Sequence, residues 1–189
     1  MGLGRYAYVA GVVATIPLMG CSVMAAAVGE GAVGTAPNAA AGVRLEAVAH
    51  CPQRAGDGWA GGLRIDHVTQ FAPGVTYDRS RYELMFGLAY VPRGFRRWWG
   101  YDLFVRAGFS RGAMGGAEST PIALAAGATV GLPLRVTKSR FGEDEVLRGT
   151  VMFVPQLDVG FAGPVEGGWQ LQIGGSVGFR VYLDSTLLP

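Results

Sequence analysis

Two histidines, His50 and His67, are all the chain offers for general-base chemistry or a His-ligated metal, so any such site must use one of them. His67 lies in IDHVTQF beside Asp66 and Thr69. Ser/His hydrolysis needs a nucleophile, a base and an orienting group that meet in space, and the two GxSxG matches, GFSRG at 108–112 and GGSVG at 174–178, fall in strand-like alternation rather than at the strand-to-helix turn such a nucleophile needs. Cys51 follows His50 directly, but two adjacent ligands without a second pair match no common metal site. Glu143, Asp144 and Glu145 in FGEDEVLRG lack the spacing of a calcium loop and read as solvated charge. The sequence therefore predicts no catalytic residue, no metal, no cofactor and no enzyme.

What the sequence does specify is period. In RYELMFGLAYV, residues 81–91, Tyr82, Leu84, Phe86, Leu88 and Tyr90 share one face of a β-strand, while Glu83, Met85, Gly87 and Ala89 share the other. The same alternation recurs over residues 43–50, 62–71, 101–110, 122–135, 151–161 and 169–183, and no 3.6-residue period of comparable length competes with it. That makes seven strands, long enough to cross a bilayer when tilted. An antiparallel barrel in a membrane needs an even number. The eighth is expected either as a cryptic strand within residues 23–36, the preferred placement, or from a split of the 122–135 segment at Gly131 and Pro133.

The two faces differ in a way that chooses their solvent. Half of the residues are hydrophobic, 16% are charged, mean hydropathy is +0.28, and the 31 glycines are spread along the chain, some of them inside the alternating segments. A net charge of +2 with no basic stripe gives no argument for nucleic acid. In a lipocalin-like soluble barrel the large apolar face points inward; in a membrane barrel it meets lipid. A face of Gly, Ala, Ser, Gln and isolated charges is too poor in charge for a water-facing wall. It suits a narrow interior, where Glu83, Asp102, Arg106, Arg135, Asp158 and Arg180 would form a charge network. Tyr82, Tyr90, Tyr101 and Trp169, with Trp98 and Trp99 of FRRWWGY, then fall at the edges of an apolar belt, as interfacial aromatics.

The N-terminus has the layout of an export signal over residues 1–20: Arg5, an apolar run, then small residues. Leu18, Met19, Gly20 and Cys21 resemble the lipobox of bacterial lipoproteins, which implies lipidation of Cys21 and a mature chain starting there. The competing processing is signal peptidase cleavage after Ala27. A Cys21–Cys51 disulfide would require an uncleaved signal. Residues 21–41, rich in Ala and Gly, read as a tether that would hold the first strand if the cryptic one exists, with the barrel domain over 42–189.

From Gly42 to Leu183 the chain resembles the small bacterial outer-membrane β-barrels, and SVGFRVYLD, residues 176–184, resembles their C-terminal insertion strand. The resemblance implies an all-β, antiparallel up-and-down barrel of eight strands with a small polar interior, located in the cell outer membrane. It also implies as partners the outer-membrane lipids, the barrel insertion machinery and an envelope protein. The function expected is non-enzymatic: a structural or interaction role, or passage of small apolar solutes, with a lipid anchor at Cys21. The alternative is a periplasm-facing lipoprotein whose soluble barrel or sandwich binds an apolar ligand or an envelope-assembly partner.

Overall fold

A computed structural model describes residues 20–33, 38–51, 57–72, 75–91, 98–112, 120–141, 147–165 and 168–185. The signal segment, Arg96 and Arg97, and the acidic turn at Glu143 to Glu145 lie outside the described residues. Nine strands are present: β1 (Gly20–Val33), β2 (Asn38–His50), β3 (Asp57–Ala72), β4 (Val75–Tyr90), β5 (Tyr101–Gly112), β6 (Thr120–Gly131), β7 (Leu134–Phe141), β8 (Leu147–Val165) and β9 (Gly168–Ser185). All pair antiparallel in the order β6-β5-β4-β3-β2-β1-β9-β8-β7, and a β6–β8 pairing closes the sheet.

The odd ninth strand is the second half of a broken one. β6 pairs with β8 from Leu124↔Gly163 to Gly131↔Gln156, and β7 continues in the same register at Leu134↔Phe153. Leu132 and Pro133 interrupt the ladder, because proline has no N–H to contribute. The interruption is bridged by hydrogen bonds from Gly100 N to Pro133 O and from Arg135 N to Trp98 O. Both devices expected for the eighth strand thus exist, but only the cryptic strand adds a wall element. β1 fills the gap between β2 and β9, pairing with both.

Register fixes the dimensions. Partners followed around the ring, Asp102, Gly131, Gln156, Ser176, Val28, Gly42, Val68, Arg79 and Gly112, return to β5 ten residues further along. For eight strands this shear gives a tilt of about 40° and a backbone radius of about 8 Å, at strand spacings of ~4.8 Å and ~3.4 Å per residue. Such a lumen is filled by side chains. β1 starts and β9 finishes at the same end of the barrel, here the terminal end; the opposite end is the far end.

The wall follows the predicted alternation. Leu84, Phe86, Val105, Leu124, Leu157 and Phe179 are among many large apolar side chains facing outward and exposed, while Arg44, Arg64, Glu46, Glu83 and Arg180 are buried inside. The buried charges are in the interior and the large exposed apolar side chains on the surface, the reverse of a water-soluble barrel.

Candidate functional site

The lumen is built in three layers. At the terminal end it is largely apolar, with the Arg180–Asp102 pair set among the apolar side chains opposite Met24, Met152 and Ala89: Met24, Ala26, Val91, Met152, Val154 and Tyr182 form one buried cluster, and Val48, Ala60, Met85, Ala89 and Phe104 another. Ser22 and His50 are buried there too, with Ser22 Oγ 2.9 Å from His50 Nε2, and the His50 ring meets Tyr182 edge-on at 5.2 Å.

The middle layer is ionic. Asp158 is its hub: it accepts from Arg44 Nη1 at 2.7 Å, from Arg64 Nη1 at 2.8 Å and from Thr129 Oγ1 at 2.6 Å. Arg44 also donates through Nε to Asp66 at 2.8 Å and through Nη1 to Ser176 at 2.9 Å. Arg106 pairs with Glu83 at 2.7 Å, and Arg180 pairs with Glu46 at 3.1 Å and with Asp102. Glycine makes room for the longest of these side chains. A Cβ at Gly127 would stand 2.9 Å from Arg106 Nη2 and 2.5 Å from Val159 O, and one at Gly160 would stand 3.2 Å from the same nitrogen. Nearer the far end, Arg79 pairs with Glu30 at 2.6 Å and Arg81 pairs with the same carboxylate. Six guanidinium groups and six carboxylates therefore meet inside the barrel, and each charge is matched, as a lumen of low dielectric demands.

Of the six charges assigned to the lumen from sequence, Glu83, Asp102, Arg106, Asp158 and Arg180 are buried and brought together by these ion pairs. Arg135 is half-buried at the start of β7, opposite Met152, beyond the ionic layer. Sequence reasoning missed Glu30, Arg44, Glu46, Arg64, Asp66, Arg79 and Arg81. For Arg44, Glu46, Arg64 and Asp66 the signal was available, since all share the parity of the small-residue face. Glu30 was hidden in the tether.

The outer face carries a belt edged by rings. Tyr90 stacks on Tyr101 at 5.9 Å at the terminal end, with exposed Trp98 and Trp99 close by in sequence, and Trp59 stacks on Phe86 at 5.1 Å. Tyr82 stacks on Phe109 at 5.3 Å on the far side, and Trp169 is exposed at the start of β9. From Tyr90 to Tyr82 is eight residues of β4, about 20 Å of axial rise at this tilt, against the ~25 Å of an apolar band. Beyond Tyr82 the outer face of β3 and β4 turns polar. His67 Nδ1 lies 3.0 Å from Ser80 Oγ and Thr69 donates to Asp78 at 2.8 Å, all exposed.

Cys21 and Cys51 are exposed free thiols, so no disulfide links them. Cys21 faces outward at the start of β1, and the register places it within about one residue's rise of Tyr90, Trp59 and Tyr101. Among the described residues no group of three or more His, Cys, Asp or Glu is placed to hold a metal ion.

No protein-family model matches the chain, and no curated protein is similar to it in sequence. Among solved structures it is similar to Neisserial surface protein A (NspA), with a TM-score of 0.56 and 14% identity over 87% of this chain and 96% of that one. The likeness is one of fold: an eight-stranded closed barrel.

Proposed function

We propose that the chain is a non-enzymatic outer-membrane β-barrel whose work is structural or interactive, and that it is also anchored by lipid on Cys21. The observation that carries this reading is the inverted wall: exposed Leu84, Phe86, Leu157 and Phe179 outside, paired arginines and carboxylates inside. In water, so large an apolar surface would drive association; in a bilayer it meets its own kind. The alternative of a tethered, water-soluble barrel has to expose that belt to water. A barrel of this radius with ion pairs meeting across its lumen favours the structural or interaction role over passage.

With both strand termini at one end, the terminal end faces the periplasm, as in bacterial single-chain barrels. The far end, where β3 and β4 carry polar residues on their outer face, then projects from the cell. Cys21 would lie at the periplasmic edge of the belt, where acyl chains on its sulfur enter the inner leaflet directly. Extraction of membranes with urea or carbonate tests the reading. A spanning barrel stays in the pellet after Cys21→Ala and migrates differently on a gel with and without heating. Release of the Cys21→Ala protein into the supernatant would establish the tethered soluble barrel instead.

A further inference from the structure

The far-end layer of the lumen holds polar groups that the ion pairs do not use. Gln70 on β3 and Gln170 on β9 are buried with both amide atoms unpartnered, and Gln172 on β9 is buried with its Nε2 unpartnered. Arg79 and Arg81 spend their terminal nitrogens on Glu30, but the Nε of each is buried and unpartnered. The register brings Gln70, Gln170 and Arg79 to nearly the same height on the barrel axis, with Gln172 about one residue's rise below. Neighbouring inward positions at this height, Ala40, Ala123 and Ala162, are small. Val28 and Val68 pack with Ala40 on one side of the lumen here.

The unpartnered atoms are not balanced. Five are donors, namely the Nε2 atoms of Gln70, Gln170 and Gln172 and the Nε atoms of Arg79 and Arg81, and two are acceptors, the Oε1 atoms of Gln70 and Gln170. Within this layer two guanidinium groups share one carboxylate, Glu30, while Asp66, the cross-strand partner of Arg81, and Glu83 stand in the layer below. Buried donors without acceptors are costly, and a surplus of them beside two guanidinium groups suits an anion that accepts several hydrogen bonds.

We propose that this layer, formed by Gln70, Gln170, Gln172, Arg79 and Arg81, is a binding site for a small oxyanion of the phosphate class. The site rests on the closed barrel alone, and its test on folded protein in detergent is independent of where the barrel resides or whether Cys21 is lipidated. Inorganic phosphate titrated into the purified full chain, followed by calorimetry and by the thermal midpoint, should bind saturably at one per chain and raise the midpoint. Sulfate should compete and chloride should not. Gln70→Leu with Gln170→Leu should weaken phosphate binding at least tenfold. It should also raise the midpoint in anion-free buffer, because the unpaired amides are gone. If that double variant fails to fold, each single substitution reads the same loss. A wild-type protein with no saturable phosphate binding, or one in which chloride serves equally well, would overturn the proposal and leave ordered water or an adventitious ion only. Undiminished phosphate binding by the folded Leu variants would overturn it as well.

Discussion

Arg64 on β3 reaches across the lumen to Asp158 on β8, the strand diametrically opposite in the ring, and closes the gap to 2.8 Å. The pair acts as a tie across the barrel, and Asp158 anchors Arg44 and Thr129 at the same time. Removing the carboxylate leaves the buried Arg44 and Arg64 to share Asp66, and breaking a buried pair costs about 3–5 kcal/mol when no counter-charge remains, so the loss here should approach that range from below. Asp158→Ala should therefore lower the urea midpoint of the folded, heat-modifiable form, and Asp158→Asn should fall between it and wild type. An unchanged midpoint in Asp158→Ala would mean that water reaches the freed guanidinium groups.

Outward positions on a single strand should respond to charge according to height. Phe86 is 57% exposed in the middle of the belt, whereas Ser80 stands beyond Tyr82 on the same outer face of β4. Arginine at mid-depth costs about 2–4 kcal/mol and close to nothing at the interface. Phe86→Arg should block membrane assembly, and Ser80→Arg should assemble as wild type. The measurement is the fraction of heat-modifiable protein in washed membranes. Equal assembly of the two would show that this face does not meet lipid.

The strands with the strongest contrast between their faces were legible in the sequence, and β4, β5, β8 and β9 follow the expected alternation. β1 was expected from strand parity and not from its own pattern, because Ala25, Ala27, Gly29 and Gly31 alternate with Ala26, Val28 and Glu30 at too small a difference in size to show a period. Its strand character comes from neighbours: each residue completes ladders with β2 and β9 that would otherwise be open edges. β3 begins at Asp57, earlier than its alternation suggests, because Trp59 pairs across to Leu88 and extends the ladder through what reads as a turn. The charge network was half legible for a related reason. Parity identifies which residues point inward, but which arginine meets which carboxylate depends on the ten-residue shear, a property of the closed ring that no single strand encodes.

Glycines in this barrel should divide sharply by the side they occupy. Gly127 faces Arg106 inside, where an added Cβ would stand 2.9 Å from Nη2, while the outward Gly29 has nothing within 4 Å of that position. Gly127→Val would push Arg106 from Glu83, and overpacking of this kind costs about 1–3 kcal/mol even before the ion pair is lost. Gly29→Ala should stay within about 0.5 kcal/mol of wild type. Urea titration of both variants in the same detergent decides it, and a Gly127→Val midpoint equal to that of Gly29→Ala would show that both Arg106 and the Val159 backbone, 2.5 Å from the added Cβ, have room to move.

Processing of the N-terminus follows from what β1 has to do. Cleavage after Ala27 would remove Cys21 to Ala27 from a strand that pairs with β9 from Cys21 to Val33, taking away Met24 and Ala26 from the cluster with Met152 and Tyr182. The loss would open β2 and β9 as unpaired edges over half the wall. Cleavage before Cys21 leaves the strand nearly whole and places the new N-terminus on the outward side at the level of the aromatic rings. Mass spectrometry of the mature protein should find Cys21 as the first residue, with a mass increment for acylation, and labelled palmitate should be incorporated by wild type and not by Cys21→Ala. A mature chain beginning at Val28 that still shows heat-modifiable migration would refute both the lipid anchor and the need for the first half of β1.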